Sequence, residues 1–184
     1  PLDRFIGVWW SGDELDTKPS GMKAKGYRAG TFHTPGAFAE VHKEILKYAY
    51  DGDMAVAKEH NYGDVLWSRG VFNAMLIAEG ARNAILEFGG KITGKEMRWG
   101  LEHINLTEER LAELGAKGFG RPFTVTCADH EGNGPVLFQE WDGEKWVIVS
   151  DWIEPMREIV RPMLEQAAAT EAEKWNYTMR EDCT

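Results

Sequence analysis

The chain has 184 residues, 43% of them hydrophobic and 28% charged, a globular composition with apolar material for one or two small cores. Its 30 acidic residues outnumber the 21 basic ones, giving a net charge of −9. That balance, with no basic stripe, argues against nucleic acid, whose phosphates need clustered Lys and Arg. The longest apolar runs fall well short of the ~20 residues of a membrane-spanning helix.

Arg4 to Trp10, RFIGVWW, reads as a buried parallel strand ended by Ser11-Gly12-Asp13. A polar loop follows, then a second strand over Gly26 to Phe32. His33-Thr34-Pro35-Gly36 breaks that strand, because proline lacks a donor and glycine permits a turn. Phe38 to Tyr50 is predicted helical, with Val41, Ile45, Leu46 and Ala49 on one face. Met54 to Asp64 reads as a short helix and a loop.

The central stretch, Leu66 to Leu114, organises the rest. Val71, Met75, Leu76, Ala78, Ala81, Ile85 and Phe88 recur near the helical period, with Glu79, Arg82, Asn83 and Glu87 mostly opposite. The spacing predicts a long amphipathic helix from about Ser68, stopped by Gly89-Gly90. Thr93 with Glu96 is a capping box that opens a second helix to about His103, and Thr107 to Leu114 forms a third. Phe123 to Cys127 is a strand and ADHEGNGP a dense turn. Val136 to Trp141 and Lys145 to Val149 make a hairpin about Asp142-Gly143, with one wet face. Glu154 to Tyr177 is a final amphipathic helix, kinked or restarted at Pro162.

This order suits an α/β domain with a mostly parallel sheet, flanking helices, a C-terminal hairpin and a helix. In such folds ligands sit beyond the carboxyl ends of strands. The five histidines form no HxxxH or HExxH spacing, and GxSxG, CxxC and a phosphate loop are absent. Cys127, Asp129, His130 and Glu131 supply too few ligands for zinc or calcium and read as a turn. Asp13/Glu14 and Glu108/Glu109 read as solvated or helix-start acids. No nucleophile beside a base can be nominated, so the expectation is a non-enzyme with no cofactor and no metal.

The runs FIGVWWSGDE, AKGYRAGTFHTPG, WSRGVFNAMLIAEGARNA, MRWGLEHINLT and VTCADHEGNGPVLFQEWDGEKWVIVSDWI, in this order, resemble the C-terminal half of a periplasmic solute-binding protein of the branched-chain amino acid ABC transporter type. The resemblance implies part of a two-lobed fold: residues 1–32 in the second lobe, 33–130 in the first, and 131–184 returning to the second, with the N-terminal half of the family fold absent. It implies a hinge at His33, Thr34, Pro35 and Gly36, and capture of a small organic solute for ABC permease membrane subunits. Trp9, Trp10, Ser11 and Arg69 become the expected ligand contacts. Trp9 replaces the acidic residue usual at its place in amino-acid binders, which shifts the expected solute toward an aromatic or less cationic compound. Trp9 and Trp10 could equally be packing residues, Ser68 is read as an N-cap, and Arg69 is either ligand-facing or an inter-helix ion pair.

Two cysteines this far apart are a bridge or two separate thiols. The export implied by the resemblance favours a Cys127–Cys183 bridge in the periplasm, closing a long loop for about 3–5 kcal/mol. Missing partner strands would leave apolar faces exposed, so a homodimer or association with the missing half is expected. A sensory or scaffold ligand-binding domain, and an enzyme with an unrecognised site, are the alternatives.

Overall fold

The computed structural model describes residues 6–7 and 13–178. Trp9, Trp10, Ser11 and Cys183 therefore lie outside the described residues, and so does most of the first expected strand. Strands β1 (Ile6–Gly7), β2 (Arg28–Thr31), β5 (Leu137–Trp141) and β6 (Trp146–Ile148) form one sheet in the order β1-β2-β5-β6. Only β1 and β2 run parallel; β5 pairs antiparallel with both β2 and β6. The expected mostly parallel sheet is thus corrected to a mixed one. Its single wet face is as expected: Leu137, Gln139 and Trp141 point inward while Phe138 and Glu140 are half-buried. The chain reverses over Asp142 to Lys145 rather than at Asp142-Gly143 alone. The Asp142 N–H donates to the Lys145 carbonyl, and its carboxylate accepts from the Glu144 and Lys145 N–H groups.

A second pair, β3 (Asn105–Leu106) with β4 (Phe123–Thr124), is antiparallel and lies apart. Helices α1 (Glu14–Thr17), α2 (Glu40–Ala49), α3 (Met54–Glu59), α4 (Val65–Phe88), α5 (Gly94–Leu101), α6 (Glu108–Glu113) and α7 (Arg157–Lys174) complete the chain. The Thr93–Glu96 capping box opens α5 as expected. Pro162 sits inside α7 without ending it. The side chains of Arg157 and Arg161 hold α7 to the turn at Ala128 to Gly132, both reaching Asp129.

Helix α4 enters two cores. Phe72 and Met75 pack with Ile104, Leu106, Leu111 and Phe119, whereas Val65 joins Ala24, Ala29, Trp141 and Trp146 against the mixed sheet. Its buried positions are Val65, Ser68, Arg69, Phe72, Met75, Glu79, Gly80 and Ala84. This stripe has the helical period but contains four residues that are not apolar. Ile85 and Phe88, read as inward-facing, are 44% and 50% exposed, and Glu79, read as outward-facing, is 5% exposed. Burial of Glu79 is sustained by Arg110, whose Nη2 and Nε donate to its two oxygens at 2.5 and 2.9 Å. That bidentate pairing holds the Glu79 carboxyl below its usual range despite desolvation.

The crossing of α4 and α5 depends on two glycines. A Cβ built on Gly100 would stand 1.9 Å from the Gly80 carbonyl oxygen, closer than any real contact. Gly100→Ala is therefore expected to cost about 1–3 kcal/mol by overpacking. Gly94→Ala, in open space at the start of α5, should be neutral or stabilising by up to ~1 kcal/mol. Urea unfolding midpoints of the two variants measure the contrast, and equal effects would refute the crossing as described.

Candidate functional site

The start of α4 gathers an unusual set of buried polar side chains. Asp13, Glu14, His33, His42, Asp64, Ser68 and Arg69 are each no more than 8% exposed. They come from four places: the cap of α1, the break after β2, the first turn of α2, and the first turns of α4. The sequence reading took Asp13 and Glu14 as solvated or helix-start acids; they do stand at the start of α1, but buried rather than solvated. Their burial left no periodic signal, since both lie in a polar loop next to a four-residue helix.

Local hydrogen bonds explain the gathering. A helix start carries N–H groups without intrahelical partners. Asp64 caps α4 by position, but its side chain makes no capping bond; it receives Lys18 Nζ at 3.1 Å instead. The Val65 N–H donates to Glu14 Oε2 at 2.8 Å, across 51 residues of chain. Ser68 is accordingly not the N-cap but an interior residue of the second turn, fully buried, its hydroxyl lacking a hydrogen-bond partner. Arg69 also falls in the second turn. Its guanidinium stands 5.8 Å from the Phe32 ring centre and feels the Asp13 charge, while burial draws its pKa down.

The expected hinge residues adjoin this cluster. Thr34 donates from its N–H to the Phe119 carbonyl at 2.8 Å and from its hydroxyl to the Gly118 carbonyl at 2.7 Å. Gly36 has φ of +88°, a value that favours glycine. His33 and His42 are neutral rings. Burial is the first cause for both, and each pKa falls to about 4; for His33 the Arg69 and His42 charges add to the effect. His33 Nδ1 lies 3.2 Å from the Thr34 carbonyl oxygen, which makes that nitrogen the donor. His42 Nδ1 instead accepts the Ala39 N–H at 3.2 Å, which leaves its proton on Nε2. Phe119 contacts both rings, at 5.3 and 4.5 Å between centres.

Glu14 moves the other way. Burial raises its pKa to about 7, helped by Asp64 and Asp13 and opposed by the Val65 N–H. Among the described residues, no group of three or more His, Cys, Asp and Glu side chains could hold a metal ion. His130 meets Glu102 at 3.0 Å, and Asp129 is taken up by Arg157 and Arg161, so the 126–131 segment is a turn fixed by ion pairs. Two depressions lie elsewhere. One, of about 240 Å³, is bounded by Glu131, Gly132, Pro155, Arg157 and Arg161; the other, of about 550 Å³, is an open apolar groove between α2 and α4, bounded by Val41, Ile45, Trp67, Val71 and Ala74. The second follows from the small residues Gly70, Ala74 and Ala78 along one side of α4. Neither contains Arg69.

No family model matches the chain, and no curated protein matches it. A solved structure does: an ABC transporter permease from the Pseudomonas fluorescens group superposes with a TM-score of 0.87 and 36% identity. The match covers 100% of this chain and 45% of that one, so this chain spans less than half the length of its structural relative. This finding overturns the resemblance to a solute-binding protein of the branched-chain amino acid type, because the similar protein is described as a permease. The structure shows a mixed α/β domain with a four-stranded sheet and a hairpin, and does not show the two-lobed architecture drawn from that resemblance. Among the described residues no helix is long and apolar enough to cross a membrane.

The buried histidines make stability depend on pH. Both have folded pKa values near 4 against 6.5 for a free imidazole, so each favours folding fully above pH 6.5 and loses that contribution as pH falls through 4. The gap is worth roughly 3 kcal/mol per ring. Glu14 has the opposite sign: its contribution is present below pH 4.5 and is lost as pH rises through 7. Two histidines against one carboxyl leave stability rising with pH between about 4.5 and 6.5. His42→Asn should lower the slope by about one proton, roughly 1.4 kcal/mol per pH unit. Urea titrations at stepped pH measure this, and an unchanged slope would contradict a neutral buried His42.

Proposed function

We propose that the chain is an extramembrane domain of an ABC transport system, working with permease membrane subunits and meeting a small organic solute beside Arg69. The observation that carries this is the match, over the whole of this chain and 45% of the other, to a chain described as an ABC transporter permease. The lack of a membrane-length helix among the described residues supports an extramembrane position. The location of Arg69 supports the solute contact: from α4 its guanidinium stands 5.8 Å from the ring of Phe32, the residue that follows the carboxyl end of β2, where α/β folds receive ligands. A buried guanidinium suits a carboxylate-bearing solute, and the nearby Phe32 ring an aromatic or branched aliphatic one. Trp9, Trp10 and Ser11 are proposed as further contacts. His33 to Gly36 is proposed as the hinge that closes the site, with division of the chain near residues 32 and 130. An extracytoplasmic location is proposed with a Cys127–Cys183 bridge.

Wild-type protein titrated calorimetrically with a panel of carboxylated aliphatic and aromatic solutes should bind at least one of them. Arg69→Met should weaken that solute about 10–100-fold, the worth of one charge-assisted hydrogen bond, and Arg69→Lys less. Thermal melting of each variant separates lost binding from lost folding. Absence of binding across the panel, or equal affinity in a folded Arg69→Met protein, would refute the site.

The domain also needs a covering partner. Of the 18 residues of α7 only Ala172 is buried, and Ile159, Val160, Met163 and Leu164 are 44–64% exposed. Leu86 at 70% and Ile77 at 59% are further exposed apolar residues, on opposite sides of α4. Contiguous apolar surface of this kind marks an interface, here with a second copy of the chain or with further transporter polypeptide. Multi-angle light scattering of the isolated chain should give at least twice the monomer mass, and replacing Ile159 and Met163 with Glu should restore a monomer. A wild-type monomer at micromolar concentration would refute self-association.

A further inference from the structure

We propose that the buried Glu14 carboxyl carries a proton and that its release opens the contact between α1 and the first turn of α4, a pH-sensitive clasp. The inference is independent of the transport reading. Three carboxyl groups, those of Asp13, Glu14 and Asp64, are 3%, 8% and 8% exposed at the start of one helix. Lys18 is drawn to Asp64, and Arg69 to Asp13. Neither cation is paired with Glu14, the residue next to Asp13 in the chain. A buried carboxyl among other carboxylates, with no cation of its own, favours its protonated form.

Asp13 is occupied by other groups. Its Oδ1 accepts the Glu14 N–H at 2.8 Å, it caps α1, and it faces the Arg69 charge. Glu14 Oε2 accepts the Val65 N–H, leaving its other oxygen to bear the proton. Among the described residues, the charges around Glu14 are these. From its own segment come Asp13 and the exposed Asp16; from α4, Asp64 and Arg69; from the following 3-10 turn, Lys18. The connection after β2 contributes His33, which is neutral. When Glu14 ionises, it adds a third negative charge to a buried site served by two cations. The carboxylate then gains by swinging into water, and the Val65 N–H loses its acceptor. The consequence is local opening of the α1–α4 contact, which sets Arg69 one turn further along α4.

The test is amide hydrogen exchange at Val65, normalised to the intrinsic rate, over pH 6–9 on the 184-residue chain, for wild type and Glu14→Gln. Gln keeps the shape and the acceptor for Val65, but cannot ionise. Above neutral pH, Val65 protection in wild type should fall roughly tenfold per pH unit, while in Glu14→Gln it stays level. Carbon-13 titration of the Glu14 carboxyl in the wild type decides the matter even where the variant fails to fold. A midpoint near neutrality supports the clasp. A midpoint in the ordinary carboxylate range, or equal loss of protection in both proteins, overturns it.

Discussion

The buried start of α4 is the constraint on which the other features turn. Helix N-termini ordinarily meet water, which satisfies their free N–H groups at no cost. Here the first residue, Val65, is 0% exposed because it fills the core over the mixed sheet. An acceptor must then come from elsewhere in the protein, and Glu14 supplies it. An anion at this position also suits the helix dipole. The same burial raises the cost of ionising that carboxyl, so the residue that satisfies the helix is also the one whose charge is hardest to keep. Lys18 and Arg69 offset the charge of its neighbours rather than its own.

A helix that serves two cores needs a stripe that is not uniformly apolar. Through Phe72 and Met75 it packs with α6 and β3, and through Val65 with β5 and β6. Between those two sets, Ser68 and Arg69 occupy the stripe where the cores meet. Farther along, Glu79 is tolerated because Arg110 answers both of its oxygens, and Gly80 because α5 approaches to backbone contact. Breaking the Glu79–Arg110 pair from one side would strand a buried charge, so the pair fixes the placement of α6 even where its net contribution to stability is small.

These substitutions explain what was legible in the sequence. Helix existence and order were readable from period and caps: the Thr93–Glu96 box and the α2, α5, α6 and α7 segments all appear close to where the pattern puts them. The strands of the hairpin were readable from alternation. The face of α4 was not, because an apolar count assigns Glu79 outward and Ile85 inward, and no local rule knows that Arg110 lies 31 residues away. Sheet direction was misread for a related reason. Strand-forming residues in Phe123 to Cys127 invite a parallel strand in the main sheet, yet Phe123–Thr124 pairs with Asn105–Leu106 instead. The candidate site was half legible: Arg69 stood out as a cation near a helix start, and His33 as part of a break, while Asp13, Glu14 and Asp64 looked like ordinary loop acids.

The exposed apolar residues carry the argument one step beyond a single chain. A helix of 18 residues that buries only Ala172 gains little from packing, and isolated helices of that length are marginal in water. What holds α7 is polar: Arg157 and Arg161 grip the 128–132 turn at its N-terminal end. Such anchoring fixes where the helix begins and leaves Ile159, Val160, Met163 and Leu164 to be covered by something else. A pinned start with an uncovered apolar face is the arrangement expected of a helix that completes its packing against another polypeptide.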